Sequence, residues 1–190
     1  MSLLRDPSDR EARRLLTLSA WVYGAMVLVS LVWAGARDLA GSWWRFDDMG
    51  AAGVALMFGI GAGVGGIVVT RLLEHTVDGV RRLGERFGHI LRHAGPREAL
   101  LLALFSSVGE EMLFRGCLQE EFGLWPATLA FALVHVGNER LYLWWTASAL
   151  VFGLGLGLLY QAQGGLPAPI AMHFTINAVN ITILARRARG

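Results

Sequence analysis

The run "SSVGEEMLFRG", Ser106 to Gly116, holds two carboxylates and an arginine in an otherwise apolar stretch. At mid-bilayer depth each such charge costs roughly 2.5 kcal/mol or more, so the residues need a reason to be there. On a helix Glu111 and Arg115 stand four apart with the acid N-terminal, the favourable direction for an ion pair. Glu110 lies about 100° around the axis, without a local countercharge, free to take and return a proton. Two later segments add polar faces. "FALVH" puts Phe131 and His135 at a spacing of four, "HFTIN" does the same with His173 and Asn177, and Asn180 continues that second face. Each set alone reads as a wet helix end or a packing network. Together they put two histidines, an amide and a free carboxylate on three separate helices, and intramembrane polar residues tend to face one another or a cavity. Helix rise places Glu110, His135, His173 and Asn177 in one layer, about 9–17 Å below the outer face. The chemistry within their reach is proton transfer to and from a water and stabilisation of a developing anion.

The elements that must hold them are apolar. The chain has 190 residues, is 54% hydrophobic and contains 24 glycines, with a mean hydropathy of +0.47. That composition indicates an integral membrane protein. The pattern predicts an all-α fold, a polytopic transmembrane bundle of about six helices at 15–36, 49–72, 98–118, 124–138, 141–161 and 167–185, with one amphipathic surface helix. The surface helix comes from "EHTVDGVRRLGERFGHILRHAGPRE", where Val77, Val80, Leu83, Phe87, Ile90 and Leu91 recur at helical spacing. The first span reads as retained rather than as a cleaved signal. Residues 1–97 form a helical hairpin plus this amphipathic segment, and 98–190 the chemistry-bearing core, in a single integrated domain. Arginine clusters before the first helix, around the surface helix and at the C-terminal end place both termini in the cytoplasm. Trp43 and Trp44 suit an interfacial belt. Arginine- and alanine-rich usage points to a GC-rich bacterial genome, and the expected location is the bacterial inner (plasma) membrane. A single cysteine, Cys117, leaves no intrachain disulfide or CxxC motif. No compact basic reading element accompanies the charge, which argues against nucleic acid as a partner; the lipid bilayer is the partner the composition implies.

In chain order, E-E-x-x-x-R at Glu110, Glu111 and Arg115, F-x-x-x-H at Phe131 and His135, and H-x-x-x-N at His173 and Asn177 resemble the three signature elements of the CPBP family. These are the CAAX-protease and bacteriocin-processing membrane endopeptidases, also called the Abi family. The resemblance covers roughly residues 98–185, and the first 97 carry no signature. It implies hydrolysis of a peptide bond in a membrane-protein or lipid-anchored protein substrate, including C-terminal processing of an exported protein. Glu110 would activate a water, His135 would help hold it, and His173 with Asn177 would stabilise the oxyanion, with Glu111 and Arg115 as a supporting pair. No cofactor is favoured, because Asn177 is a poor zinc ligand and no HExxH occurs; zinc on Glu110, His135 and His173 is the alternative. The reading from a different class is a proton-coupled carrier or immunity factor using the same cluster. Asn177, one turn after His173 near a helix start, favours the hydrolase.

Overall fold

Apolar runs of this length can satisfy their backbone groups in lipid only by winding into helices. In a computed structural model, which describes residues 7–189, they do so. The helices are α1 (Pro7–Arg37), α2 (Met49–Thr76), α3 (Asp78–Leu91), α4 (Pro96–Leu113), α5 (Glu120–Phe122), α6 (Leu124–Leu133), α7 (Leu143–Gln163) and α8 (Pro167–Arg187). A π-helical stretch, Phe114–Gln119, joins α4 to α5, and short 3₁₀ turns lie at Ala40–Trp43 and Arg140–Tyr142. Four helices, α1, α2, α7 and α8, are long and apolar enough to cross a membrane. The protein is a helical membrane bundle.

Local chemistry sets the ends. Asp48 caps α2 by accepting from the Ala51 N–H at 2.8 Å, and Pro167 opens α8 in the first turn, where its missing N–H costs nothing. The chain leaves α7 through Gly164 in the left-handed region, φ 78°. The amphipathic helix α3 pairs Arg81 with Asp78 and Glu85 on its wet face, and the adjacent guanidinium holds the Asp78 carboxyl below its ordinary range. Its other face buries Leu83 and stacks Phe87 edge-on against Tyr142 and Trp145.

Small residues let the backbones meet. A methyl group on Gly59, Gly63 or Gly66 of α2 would strike Ala168, Thr175 or Ile176 of α8. α1 packs chiefly on α4, and α4 also packs on α8, so the helices bearing the polar residues lie at the centre. At one end of the bundle Glu11 meets Arg92 and His93, Arg189 donates to the Ala94 carbonyl and Arg187 reaches Glu74. Both ends of the described chain thus lie beside α3. At the other end the α1–α2 connection acts as a clasp: Trp43 Nε1 donates to the Gly116 carbonyl at 2.8 Å, and Tyr160 Oη donates to that of Ser42 at 3.0 Å. Trp43 is half-buried in this clasp, whereas Trp44 is exposed.

Several helix boundaries depart from the sequence reading: α1 begins at Pro7 rather than 15, and α2 runs to Thr76 rather than 72. The third pass does not stop at 118 but runs through the π-helical stretch to Phe122. The fourth does not reach 138. After Leu133 the N–H groups of His135 and Val136 turn back to the Ala132 and Leu133 carbonyls, three residues away, and the His135 ring takes the Phe131 carbonyl. That tightened turn ends α6 after ten residues. The segment after it carries Glu139 to Arg86 of α3.

Candidate active site

The centre of the site is the last turns of α4. Glu111 and Arg115 are wholly buried and paired at 3.1 Å along one helix face. The guanidinium also donates to the Gly153 carbonyl of α7 at 2.9 Å and lies over the Phe131 ring, 4.5 Å from its centroid. The second partner of Glu111 is His173, whose Nδ1 stands 2.7 Å from Oε1. A carboxylate only accepts, so Nδ1 carries the proton and Nε2 is the atom turned to the site. Glu111 is thus held by a cation on one side and orients an imidazole on the other.

Glu110 is differently placed. Its Oε2 is buried and has no hydrogen-bond partner among the described residues. It lies 3.9 Å from Nε2 of His135 and 3.9 Å from Nε2 of His173. At both distances a direct hydrogen bond is too long. A single water at about 2.8 Å from oxygen and nitrogen would subtend roughly 90° and bridge either pair. His135 is also oriented, since its Nδ1 stands 2.6 Å from the Phe131 carbonyl and must donate to it, leaving Nε2 as an acceptor in the neutral ring. Its ring is fixed by stacking between Phe131, at 4.6 Å, and Trp145, at 4.8 Å between centroids.

Phe131 explains itself by position. It meets Phe114 edge-on at 5.0 Å, covers Arg115 and touches both histidine rings. Asn177 sits one turn away and donates Nδ2–H to Ser106 Oγ at 3.0 Å, tying α8 to α4. The structure thus brings Glu110, Glu111, Arg115, Phe131, His135 and His173 into one cluster with Asn177 at its edge. It does not bring in Asn180, whose Oδ1 accepts from Arg71 Nη2 of α2 at 2.5 Å. One further turn of α8 carries that side chain round to a different neighbour. Ser106, Gly153 and Trp145 had no signal in the sequence. Two act through groups that any serine or backbone offers, and tryptophan at a membrane helix start reads as an interfacial anchor.

The spacing does not suit the zinc alternative. With zinc about 2.1 Å from nitrogen and oxygen, groups 3.9 Å apart would subtend roughly 140° at the metal, against about 110° for a tetrahedral site. Nor does any group of three metal-binding side chains among the described residues stand close enough to hold an ion.

An ordered triplet of a free acid, a paired acid with its arginine, and two oriented imidazoles is the arrangement that three comparisons with known proteins bear on. Residues 95–179, which contain every member of the cluster, match the family described as type II CAAX prenyl endopeptidase Rce1-like. The match spans just under half of the chain. The resemblance to CAAX-protease-like membrane proteins therefore holds. The chain is also 42% identical over 83 residues to an uncharacterized protein, YpbD, of Bacillus subtilis (strain 168), an alignment covering 42% of each chain. No solved structure matches the chain.

Proposed function

We propose that the protein is a CAAX-protease-like membrane endopeptidase that hydrolyses a peptide bond near the C-terminal end of a membrane-anchored protein substrate. The observation that carries this reading is the unpartnered Glu110 Oε2, buried and 3.9 Å from the Nε2 atoms of two histidines fixed from behind. The match of residues 95–179 to the Rce1-like family supports it.

In this mechanism a water between Glu110 and His135 gives its proton to Oε2 as its oxygen attacks the scissile carbonyl carbon. His135, accepting through Nε2, orients the water's second hydrogen. The carbonyl oxygen becomes an oxyanion, received by the second N–H of Asn177 and by His173, which donates through Nε2 when its ring holds both protons. Glu111 supplies the counter-charge for that imidazolium while Arg115 keeps Glu111 ionised and in place. The C–N bond then breaks, and Glu110 returns its proton to the leaving amine. Burial in a bundle closed at one end by the Trp43 clasp keeps bulk water from these charges, which strengthens every one of these interactions.

The test uses purified protein in liposomes with fluorogenic peptides ending in a farnesylated Cys-a-a-X sequence, alongside the same peptides without the lipid. Cleavage by the unaltered protein, abolished by Glu110→Gln, is the expected result. Cleavage of only the lipidated peptide assigns the prenyl-protein class, and cleavage of both assigns a broader C-terminal processing role. Turnover that survives Glu110→Gln would sink the mechanism.

A further inference from the structure

We propose that Phe87 of α3, outside the segment that matches the family, is a positioning residue for His135 and acts through Trp145. This rests on the endopeptidase reading. Phe87 lies on the apolar face of α3, one turn beyond the buried Leu83. Gly88 beside it seats the helix, since a methyl group there would lie 3.1 Å from the Leu184 carbonyl oxygen of α8. That close approach fixes where the half-buried Phe87 ring stands. The ring meets Trp145 of α7 at 5.1 Å between centroids and 75° between planes, and Tyr142 at 6.2 Å and 69°. Trp145 in turn meets the His135 ring at 4.8 Å and 84°. All three are edge-on pairs within the range that aromatic rings prefer. Phe87, Trp145 and His135 therefore form a row of rings from the surface helix to the site.

The row supplies what hydrogen bonds leave undone. His135 donates Nδ1–H to the Phe131 carbonyl at 2.6 Å, and Thr146 Oγ1 donates to the His135 carbonyl at 3.0 Å. These two bonds hold the backbone and one edge of the ring. Nε2 lies on the other edge, so rocking about the Nδ1 bond moves it most, and it is the atom that must accept from the water. The Phe131 and Trp145 rings limit that rocking. Trp145 stands in the first turn of α7, directly after the 3₁₀ turn, and besides His135 it rests on Tyr142 and Phe87. Tyr142 belongs to that same local turn, whereas Phe87 brings support from another helix. The amphipathic helix thereby takes part in holding the water-binding imidazole, through side chains that need not touch substrate.

The test is Phe87→Leu in the full chain in liposomes, which keeps the face of α3 apolar and removes the ring. With the farnesylated probe peptide, kcat falls about three- to tenfold with KM unchanged, the size expected for one aromatic pair, and Phe87→Tyr, which restores the ring, recovers it. A second readout needs no substrate. In protein with isotopically labelled histidine, the His135 ring signals in the magnetic resonance spectrum, assigned by their loss in His135→Gln, shift in Phe87→Leu because the indole beside them has moved. Made in a Trp145→Leu background, Phe87→Leu no longer shifts them. Signals that stay in place in folded Phe87→Leu overturn the proposal even if kcat falls, because Phe87 would then act only on the stability of α3. Signals that move equally in the Trp145→Leu background overturn it as well. Incorporation of para-fluorophenylalanine at position 87 covers the case in which Phe87→Leu does not fold: its fluorine signal responds to His135→Gln if the row is coupled, and a signal that does not respond overturns the proposal. Histidine signals that shift in a protein that cleaves nothing uphold the row and place the failure in the endopeptidase reading.

Discussion

Two polar clusters in this bundle, one half-buried and one buried, use nearly the same residue types to opposite ends. Near α3, Glu74 accepts from Arg71 at 2.7 Å and from Arg187 at 3.0 Å, and Arg71 also donates to Asn180. There the acid lies between two cations and Arg187 reaches solvent, so the cluster is a strut joining α2 to α8. In the centre, Glu111 is equally well held, by Arg115 and His173. The residue before it keeps an acceptor oxygen that has no hydrogen-bond partner among the described residues. What separates a site from a strut is thus one carboxylate too many, flanked by histidines whose outer nitrogens are fixed by a carbonyl and a carboxylate. Charge in a membrane helix marks both, and only the accounting of partners tells them apart.

That contrast can be broken by substitution. Glu110→Gln lowers turnover by about 10²–10⁴-fold, the range of a lost general base, with no loss of thermal stability in detergent, since Oε2 holds nothing in place. Glu111→Gln leaves Arg115 buried without its counter-charge, and destabilises by about 3–5 kcal/mol while also lowering turnover. Asn177→Ala lowers kcat by roughly 10²-fold, as for an oxyanion donor, and loosens the α4–α8 contact at Ser106 by about 1 kcal/mol. Glu74→Gln gives the inverse pattern, a lower unfolding temperature with the specific activity of the folded fraction intact. Asp78→Asn on the exposed face of α3 has the smallest effect: activity is unchanged, and stability at neutral pH falls by no more than an exposed ion pair contributes. Because Arg81 depresses the Asp78 carboxyl, any stability from that pair is present above the ordinary carboxylate range and is lost as the pH falls through the lowered value.

Much of this was legible in the sequence, for identifiable reasons. Long apolar runs have only one way to satisfy their backbones in lipid, so the passes and the amphipathic α3 follow from hydropathy and period. The spacing of Glu111 and Arg115 gave their pairing, because an i, i+4 contact is internal to one helix. The site's second layer was not legible. Glu111 reaching His173, Asn177 reaching Ser106 and Arg115 reaching the Gly153 carbonyl all depend on how helices far apart in sequence cross, which period alone does not fix. The early end of α6 was hidden as well. Val134, His135 and Val136 contain no breaker, and the stop comes from a side chain competing for a backbone carbonyl. Asn180 shows the converse error: sharing a helical face with His173 and Asn177 over two turns did not mean sharing a neighbour.

The most direct test of the central claim compares the protein termini of membranes from cells carrying the unaltered chain with those carrying Glu110→Gln at matched abundance, by mass spectrometry. The account predicts a defined set of new C-terminal ends in the first that is missing in the second, and the lost peptides identify the substrates. Identical termini in the two membranes, with the variant folded and equally abundant, would contradict it.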